Sequence, residues 1–375
     1  MNLARFYIII FSILFLCYSL AYTQNESSEK LNIINADTTR YSKTPQGTLI
    51  ELIGNVHLQQ GNSEMFCGRA EHWKDAHKTI VHDNVRIYDE NKILFADQVF
   101  YFDIPQVFKA NGNVLLKDSI RQITAEQVSY LKKEDRIKAE KNVVMNDSIN
   151  YINILGEFAE FDNAKDYALI TGDPVLIRKD STGKEELRIT SVKMELFEAG
   201  DKAVVTDSVR ITQSKANATC GLAEFYRKKN EILLKQKPVA WQGGDRLSGE
   251  LIHLFVENDK LVKAIVKDLA VVTSRVDTTD LNDQRLNILT GQQITMHFEN
   301  EELYRVEVEN KATSYYYIYE DDEEKGMNKI IGDKISVFIT NRRIERIVVE
   351  SNPQLSSGTY YPPGKETEQE IRKIK

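Results

Sequence analysis

The sequence predicts an all-β fold, an array of about ten two-strand repeats, and three observations carry that prediction. First, a phrase returns at a fixed interval. Gly112-Asn113-Val114-Leu115-Leu116-Lys117-Asp118-Ser119 comes back 29 residues later as Lys141-Asn142-Val143-Val144-Met145-Asn146-Asp147-Ser148. Second, apolar and polar residues alternate around each phrase with period two, the spacing of a strand with one buried face. Third, no window holds an i, i+3, i+4, i+7 apolar stripe for three turns. Val, Ile, Thr and Tyr crowd the apolar positions instead, which favours strand over helix.

The N-terminus comes first. Arg5 is followed by fifteen uncharged residues, Phe6 to Leu20, and then by Ser19-Leu20-Ala21 as a small-x-small cleavage site. That pattern predicts a secretory signal peptide over residues 1–23. The run is shorter than the roughly 20 residues of a membrane span, but a retained anchor helix stays open as the alternative. Leu14-Phe15-Leu16 ahead of Cys17 lacks the small residues of a lipidation site.

Two phrases then alternate. The first is a small residue with apolar residues three and five positions on. Its heads are Ala36, Gly68, Ala96, Ala125, Gly156, Ser191, Gly221, Gly249, Gly291 and Gly332. The copies headed by Ala36, Gly68 and Gly221 break the rule, with Thr39, Glu71 and Glu224 at the third position. A Gly or Ala head allows a bend or bulge where a strand rounds a corner. The second phrase is a polar turn followed by two apolar residues, two apart. The pairs are Val56/Leu58, Val85/Ile87, Val114/Leu116, Val143/Met145, Val175/Ile177, Val209/Ile211 and Val239/Trp241. Turns at Glu134-Asp135, Asn230-Glu231, Asn258-Asp259 and Asn341-Arg342 join the strands. Insertions at 275–288 and 318–328 lengthen the later repeats and are expected to be loops. The repeat domain runs from 30 to 355, either as one array or as two contiguous modules of about 30–200 and 201–355. A polar tail, 356–375, follows.

Composition narrows the function. With 42% apolar and 28% charged residues among 375, the chain is globular, and a net charge of −7 leaves no basic excess for nucleic acid. Cys67 and Cys220 hold the same place in two repeats, Cys-Gly-Arg-Ala-Glu and Cys-Gly-Leu-Ala-Glu. Five repeats apart, they are beyond disulfide reach and read as free inward thiols. His57, His72, His77 and His82 cluster in sequence but lack ligand spacing and read as solvated residues, not a metal site. No nucleophile elbow, P-loop, metalloprotease or dinucleotide motif is present, so neither enzyme chemistry nor a cofactor is expected. The abundant carboxylates fall in turns and on outward positions. A parallel β-helix acting on polysaccharide and a secreted adhesin-like solenoid remain the rival classes.

The residues resemble a family. Ala96-Asp97-Gln98-Val99-Phe100-Tyr101 and Ala125-Glu126-Gln127-Val128-Ser129-Tyr130 alternate with Gly54-Asn55-Val56-His57-Leu58 and Gly112-Asn113-Val114-Leu115-Leu116. This is similar to the OstA-like group, which includes the periplasmic lipopolysaccharide carrier LptA and the N-terminal domain of the outer-membrane protein LptD. The resemblance covers residues 30 to 355. It implies an elongated, open β-jellyroll whose interior is an apolar trough for lipid A acyl chains, nearly level in energy along its length. The trough would be lined by the pairs above together with Val99, Tyr101, Val128 and Tyr130. The implied ligand is lipopolysaccharide. The implied partners are like-folded inner-membrane (LptC-type) and outer-membrane (LptD-type) proteins, joined by edge strands near Ala36 to Leu58 and Ile330 to Val349, with head-to-tail self-association. An LptC-like anchored subunit is the alternative within the family.

Overall fold

The computed structural model describes residues 31–364, apart from 90–91, 120, 214–215, 258–259, 277–284, 301, 321–322, 341–342 and 353–354. The expected signal peptide and the turns at Asn258-Asp259 and Asn341-Arg342 lie outside the described residues. The chain divides into two compact units, one ending at Val205 and the other beginning at Thr206.

The first unit opens with the short strands β1 (Asn32–Asn35) and β2 (Thr38–Thr44). Eight long strands follow: β3 (Gly47–Gln60), β4 (Ser63–Trp73), β5 (Lys78–Asp89), β6 (Lys92–Phe102), β7 (Val107–Lys117), β8 (Arg121–Leu131), β9 (Arg136–Asp147) and β10 (Ile152–Asp162). Then come β11 (Tyr167–Thr171), β12 (Val175–Lys179), β13 (Glu185–Thr190), β14 (Lys193–Phe197) and β15 (Lys202–Gln213), within which the unit boundary falls. From β3 to β10 each strand pairs antiparallel with the next. Among the described residues there is no α-helix, and single 3-10 turns close the β8–β9 and β10–β11 connections.

Every second long strand bends at two consecutive residues of left-handed backbone. The pairs are Gly54-Asn55, Asp83-Asn84, Gly112-Asn113 and Lys141-Asn142. Each stands opposite a single residue of the neighbouring strand, so register shifts there: Ile53 pairs with Arg69, but Val56 with Cys67. Two residues facing one is a bulge, and it turns the strand sharply. Asn and Asp tolerate the left-handed region better than other side chains. The acid of the first phrase explains the rest of the motif. Asn55 Nδ2 donates to Asp37 Oδ2 at 2.9 Å, Asn113 Nδ2 to Asp97 Oδ2 at 2.9 Å, and Asn142 Nδ2 to Glu126 Oε1 at 2.8 Å. Ala-Asp and Gly-Asn are thus two halves of one corner, on adjacent strands.

Corner geometry also corrects the reading of two repeats. At Gly68 and Gly221 the inward head is the residue before, Cys67 and Cys220, and both are buried and free. Counted from the cysteines, the third position is Ala70 or Ala223, both fully buried, so both copies regain an apolar third position, while the fifth is Phe225 in one and His72 in the other. The glycines occupy the outward place that Asp97 and Glu126 fill elsewhere.

The second unit continues with β16 (Ala216–Tyr226), β17 (Glu231–Lys235), β18 (Val239–Gln242), β19 (Asp245–Ser248) and β20 (Leu251–Glu257). It ends with the longer β21 (Lys260–Arg275), β22 (Leu286–Glu299), β23 (Glu302–Glu320) and β24 (Glu323–Thr340), then β25 (Arg343–Glu350) and β26 (Ser357–Tyr361). The insertion at 318–328, expected as a loop, instead extends the β23–β24 hairpin through Tyr316–Asn328 to Glu320–Glu323. Alternating Tyr315, Tyr317 and Met327 suit a pleated surface, and with Ile288 they form an extra apolar cluster against Val271, Leu286 and Tyr361. Tyr361 belongs to β26, so the segment read as a polar tail begins with a strand paired to β24. Ile335, within the expected edge, pairs with Val308 on one side and Val349 on the other, so it is internal.

The corner can be tested at one position. A Cβ on Gly112 (φ +75°) would lie 2.2 Å from Asp97 Oδ2, in a conformation that side chains avoid. Gly112→Ala is expected to cost about 1–3 kcal/mol, and Asn113→Ala, which removes the amide bridge, about 1 kcal/mol. Shifts in the urea midpoint would measure both, with Lys109→Ala on the outer face unchanged.

Candidate functional site

The corners divide the first unit's interior into two wings. Wing A carries the inward residues of 47–53, 69–73, 78–82, 98–102, 107–111 and 127–131. Wing B carries those of 56–60, 63–67, 85–89, 92–96, 114–117 and 121–125. Where the wings meet, Val56, Val85, Val99, Val114, Val128 and Val143 are buried, with the small Ala96, Ala110 and Ala125 between them.

Burial away from the corner is uneven. On wing B, Leu58, Met65 and Ile87 are buried, Leu94, Leu116 and Ile123 are half-buried, and Met145, Ile152 and Ile154 are buried again. On wing A, Thr79 is buried, Tyr101, Phe108 and Tyr130 are half-buried, and Phe161 and Ala168 are buried again. Both wings are therefore half-buried over β6 to β8, and on wing A Ile137 of β9 is half-buried as well. The section is apolar at its floor and aromatic at one lip, where Tyr101 stacks on Phe108 with ring centroids 4.3 Å apart and Phe108 on Tyr130 at 6.5 Å. Burial raises the phenol pKa of Tyr101 and of Tyr130, with nearby carboxylates adding to the effect, so both hydroxyls stay neutral donors.

The expected groove residues fall into three sets. Tyr101, Leu116 and Tyr130 line the open section. Val56, Leu58, Val85, Ile87, Val99, Val114, Val128, Val143, Met145, Val209 and Ile211 are buried core residues. Val175, Ile177, Val239 and Trp241 do not point inward. Leu176 and Arg178, and Ala240 and Gln242, are the buried residues there, while Trp241 is 37% exposed. The cause is proline. After the corner pairs Gly172-Asp173 and Gln236-Lys237, the first inward place is taken by the buried Pro174 and Pro238, where other repeats put valine. Matching valine to valine slipped the register by one, and such a slip reverses every side chain. The expected evenness along the interior also fails, because Met145, Ile152, Ile154, Leu176, Leu187 and Ile189 close the section beyond β8.

Leu94, Phe108 and Ile123 went unnoticed in the sequence, although counting back by twos from Ala96, Ala110 and Ala125 reaches all three. The histidines make separate contacts: His57 stacks on Phe66 at 4.3 Å, His72 Nδ1 lies 3.0 Å from Thr79 Oγ1, and His82 Nδ1 lies 2.8 Å from Gln98 Nε2. Among the described residues no group of three or more His, Cys, Asp or Glu is placed to hold a metal ion. No helix among them is long and apolar enough to cross a membrane. Burial pushes the Cys67 and Cys220 thiols up to about 11, so they are protonated and shielded.

Open section and closed core should answer differently to charge. Leu116→Asp places its carboxylate where water reaches and should cost roughly 1–2 kcal/mol. Val114→Asp, two residues nearer the corner, buries an unpaired charge and should unfold the surrounding strands, a loss of several kcal/mol. Circular dichroism melts of the two variants would separate them, and equal losses would mean that no open section exists.

The sequence profile of the OstA-like protein family matches residues 28–131. No curated protein matches the chain. Among solved structures, it aligns with the crystal structure of LptH, the LptA-homologous periplasmic component of the conserved lipopolysaccharide transport device from Pseudomonas aeruginosa. That alignment has 15% identity, covers 36% of this chain and 92% of the other, and has a TM-score of 0.27. The matched segment contains β1 to β8, including the three strands of the open section. Over residues 28–131, the chain is similar to the OstA-like family.

Proposed function

We propose that this chain is a periplasmic lipopolysaccharide carrier that shelters lipid A acyl chains in the open section of its first unit. The observation that carries the reading is the coincidence of exposure on both wings at β6 to β8, within the OstA-like segment. An acyl chain of fourteen carbons costs on the order of 10 kcal/mol to hold in water, so it crosses an aqueous compartment only on an apolar surface. Leu94, Leu116, Ile123, Tyr101, Phe108 and Tyr130 supply such a surface. A half-buried aromatic and aliphatic lining suits an alkyl chain better than a sugar. It offers no constellation of acids for glycoside cleavage, and binding without turnover is all the role requires.

The two compact units are inferred to be two OstA-like modules, the first carrying the lipid section. Cleavage after the apolar N-terminal segment would deliver the mature chain to the periplasm, where bridging inner and outer membranes needs like-folded partners at both ends. Strand addition is the natural mode, with β2 and β25 as the terminal strands offered.

Two experiments test these statements. A photo-crosslinking residue at Leu116 should capture lipopolysaccharide, while one at Leu115 should not. Leu115 lies on the opposite side of the same strand, between Phe95 and Thr124, so the pair controls for everything except direction. Equal capture at both would sink the carrier reading. For the edge, proline should be placed in turn at Val348 and Val349 of β25. Alternate N–H groups of an edge strand point to alternate sides, so one variant should weaken β25 pairing with β24 and the other should block only an incoming strand. Partner binding unchanged in both would rule out strand addition at β25.

A further inference from the structure

In the second unit β15 and β18 both flank β16. Period two puts Val209, Ile211 and Gln213 on the buried face of β15, Ala216, Ala218 and Cys220 on that of β16, and Ala240 and Gln242 on that of β18. In register, Ala218 stands opposite Ala240, and Ala216 opposite Gln242. Where the first unit packs Met145, Ile152 and Ile154, these strands present three alanines and two glutamines.

The glutamines are the anomaly. Gln213 is 1% exposed and Gln242 is 4% exposed. Neither Nε2 nor Oε1 of Gln213 has a hydrogen-bond partner among the protein's own groups, and Gln242 Oε1 has none either. Asp245, opposite Gln242 on β19, is also buried but has a partner of its own. An amide shut away from water without a partner is costly, and native proteins almost always supply one.

The leftover atoms lie close to one another in the sheet. Gln213 ends β15 and Ala216 begins β16, so the two glutamines flank Ala216, which puts only a methyl group between them. Strands two apart lie about 10 Å from each other, a gap that two extended glutamines bridge through one small molecule. Counting donors and acceptors says which molecule. Gln213 Nε2 is a donor, and the two Oε1 atoms are acceptors. A cation would satisfy the oxygens and leave the nitrogen unpaired, and an anion would do the reverse. An alcohol has one proton for two acceptors. Water gives a proton to each oxygen and accepts from the nitrogen, and three hydrogen bonds is the usual number for a buried water.

We propose that Gln213 and Gln242 hold one buried water molecule over Ala216, and that this water ties β15 to β18 across β16. The site belongs to the second unit and does not depend on the carrier reading.

Thermal melts of the purified chain test it by sign. Gln213→Met keeps the length of the side chain and removes both amide atoms. Two of the water's three hydrogen bonds then go, and the melting temperature should fall by roughly 3–6 °C. A dry, unpaired amide would be relieved by the same change, so a melting temperature that holds or rises would overturn the proposal. Gln242→Met removes the third bond and should cost less. Because both side chains act through one water, the double variant should lose clearly less than the two single losses together, and strictly additive losses would mean separate roles and no shared water. The wild type alone gives a further reading. With glutamine side chains labelled with nitrogen-15, the Gln213 amide protons should show a nuclear Overhauser effect to a long-lived water, and its absence would overturn the site. Replacing sodium chloride by choline chloride should leave the wild-type melting temperature where it is. A fall would put a metal cation, not water, between the glutamines.

Discussion

A β-strand of eleven to fourteen residues, such as β3 to β10, cannot bury its apolar face against itself unless it turns partway along. The turn must leave the backbone hydrogen-bonded on both sides, because unpaired peptide groups next to an apolar interior are costly. This chain meets the constraint with two left-handed residues in every second strand and, beside Asn55, Asn113 and Asn142, a carboxylate from the neighbouring segment. The two residues redirect the strand, and the carboxylate fastens the asparagine amide that would otherwise face solvent alone. Both wings, and the floor between them, depend on that corner. Its recurrence at 83, 112 and 141 aligns the corners of successive strands, so that their valines stack into one floor.

The interior that the corners create is not uniform, and the difference lies in what stands beside the floor. Next to the closed section, the small Ala139, Ala159 and Ala168 let the large side chains of the opposite wing approach. Met145, Ile152 and Ile154 then fill the space completely, as any β core would be filled. Over β6 to β8, wing A instead carries three aromatic residues in a row. Rings stacked face to face along the sheet form a wall. Accessibility here comes from shape mismatch between two apolar surfaces, not from any polar lining.

Much of this was legible in the sequence. The corner was visible because it needs Gly or Asn at fixed spacing, and no other residues adopt that backbone so readily. The inward Val56, Val85 and Val114 followed from period two counted out from the corner. What alternation cannot supply is depth, since Val114 and Leu116 share a face but only one is fully buried. Errors came where a different residue met the same geometric need. Pro174 and Pro238 took the place of valine and moved the reading one residue along, while Cys67 and Cys220 hid the head of their repeats behind a more conspicuous glycine. The long hairpin of β23 and β24 was misjudged for a related reason. Charged residues at 320–325 read as a loop, although the alternating tyrosines before them were already asking for a strand.

An open section costs stability, because apolar side chains left half-exposed contribute only part of what full burial would. A repeat architecture can bear that cost locally, since each strand is held chiefly by its neighbours. In the first unit the three open strands lie between closed ones: Leu58, Met65 and Ile87 pack before them, and Met145, Ile152 and Ile154 after. The closed strands hold β6 and β8 in register from both sides, so the mouth stays shaped whether or not anything fills it. A site built this way does not have to fold around its ligand, and little of the binding energy of the proposed acyl chain would then be spent on ordering the protein. The same arrangement limits how far an opening can extend, for each further open strand would lie one step farther from a packed neighbour.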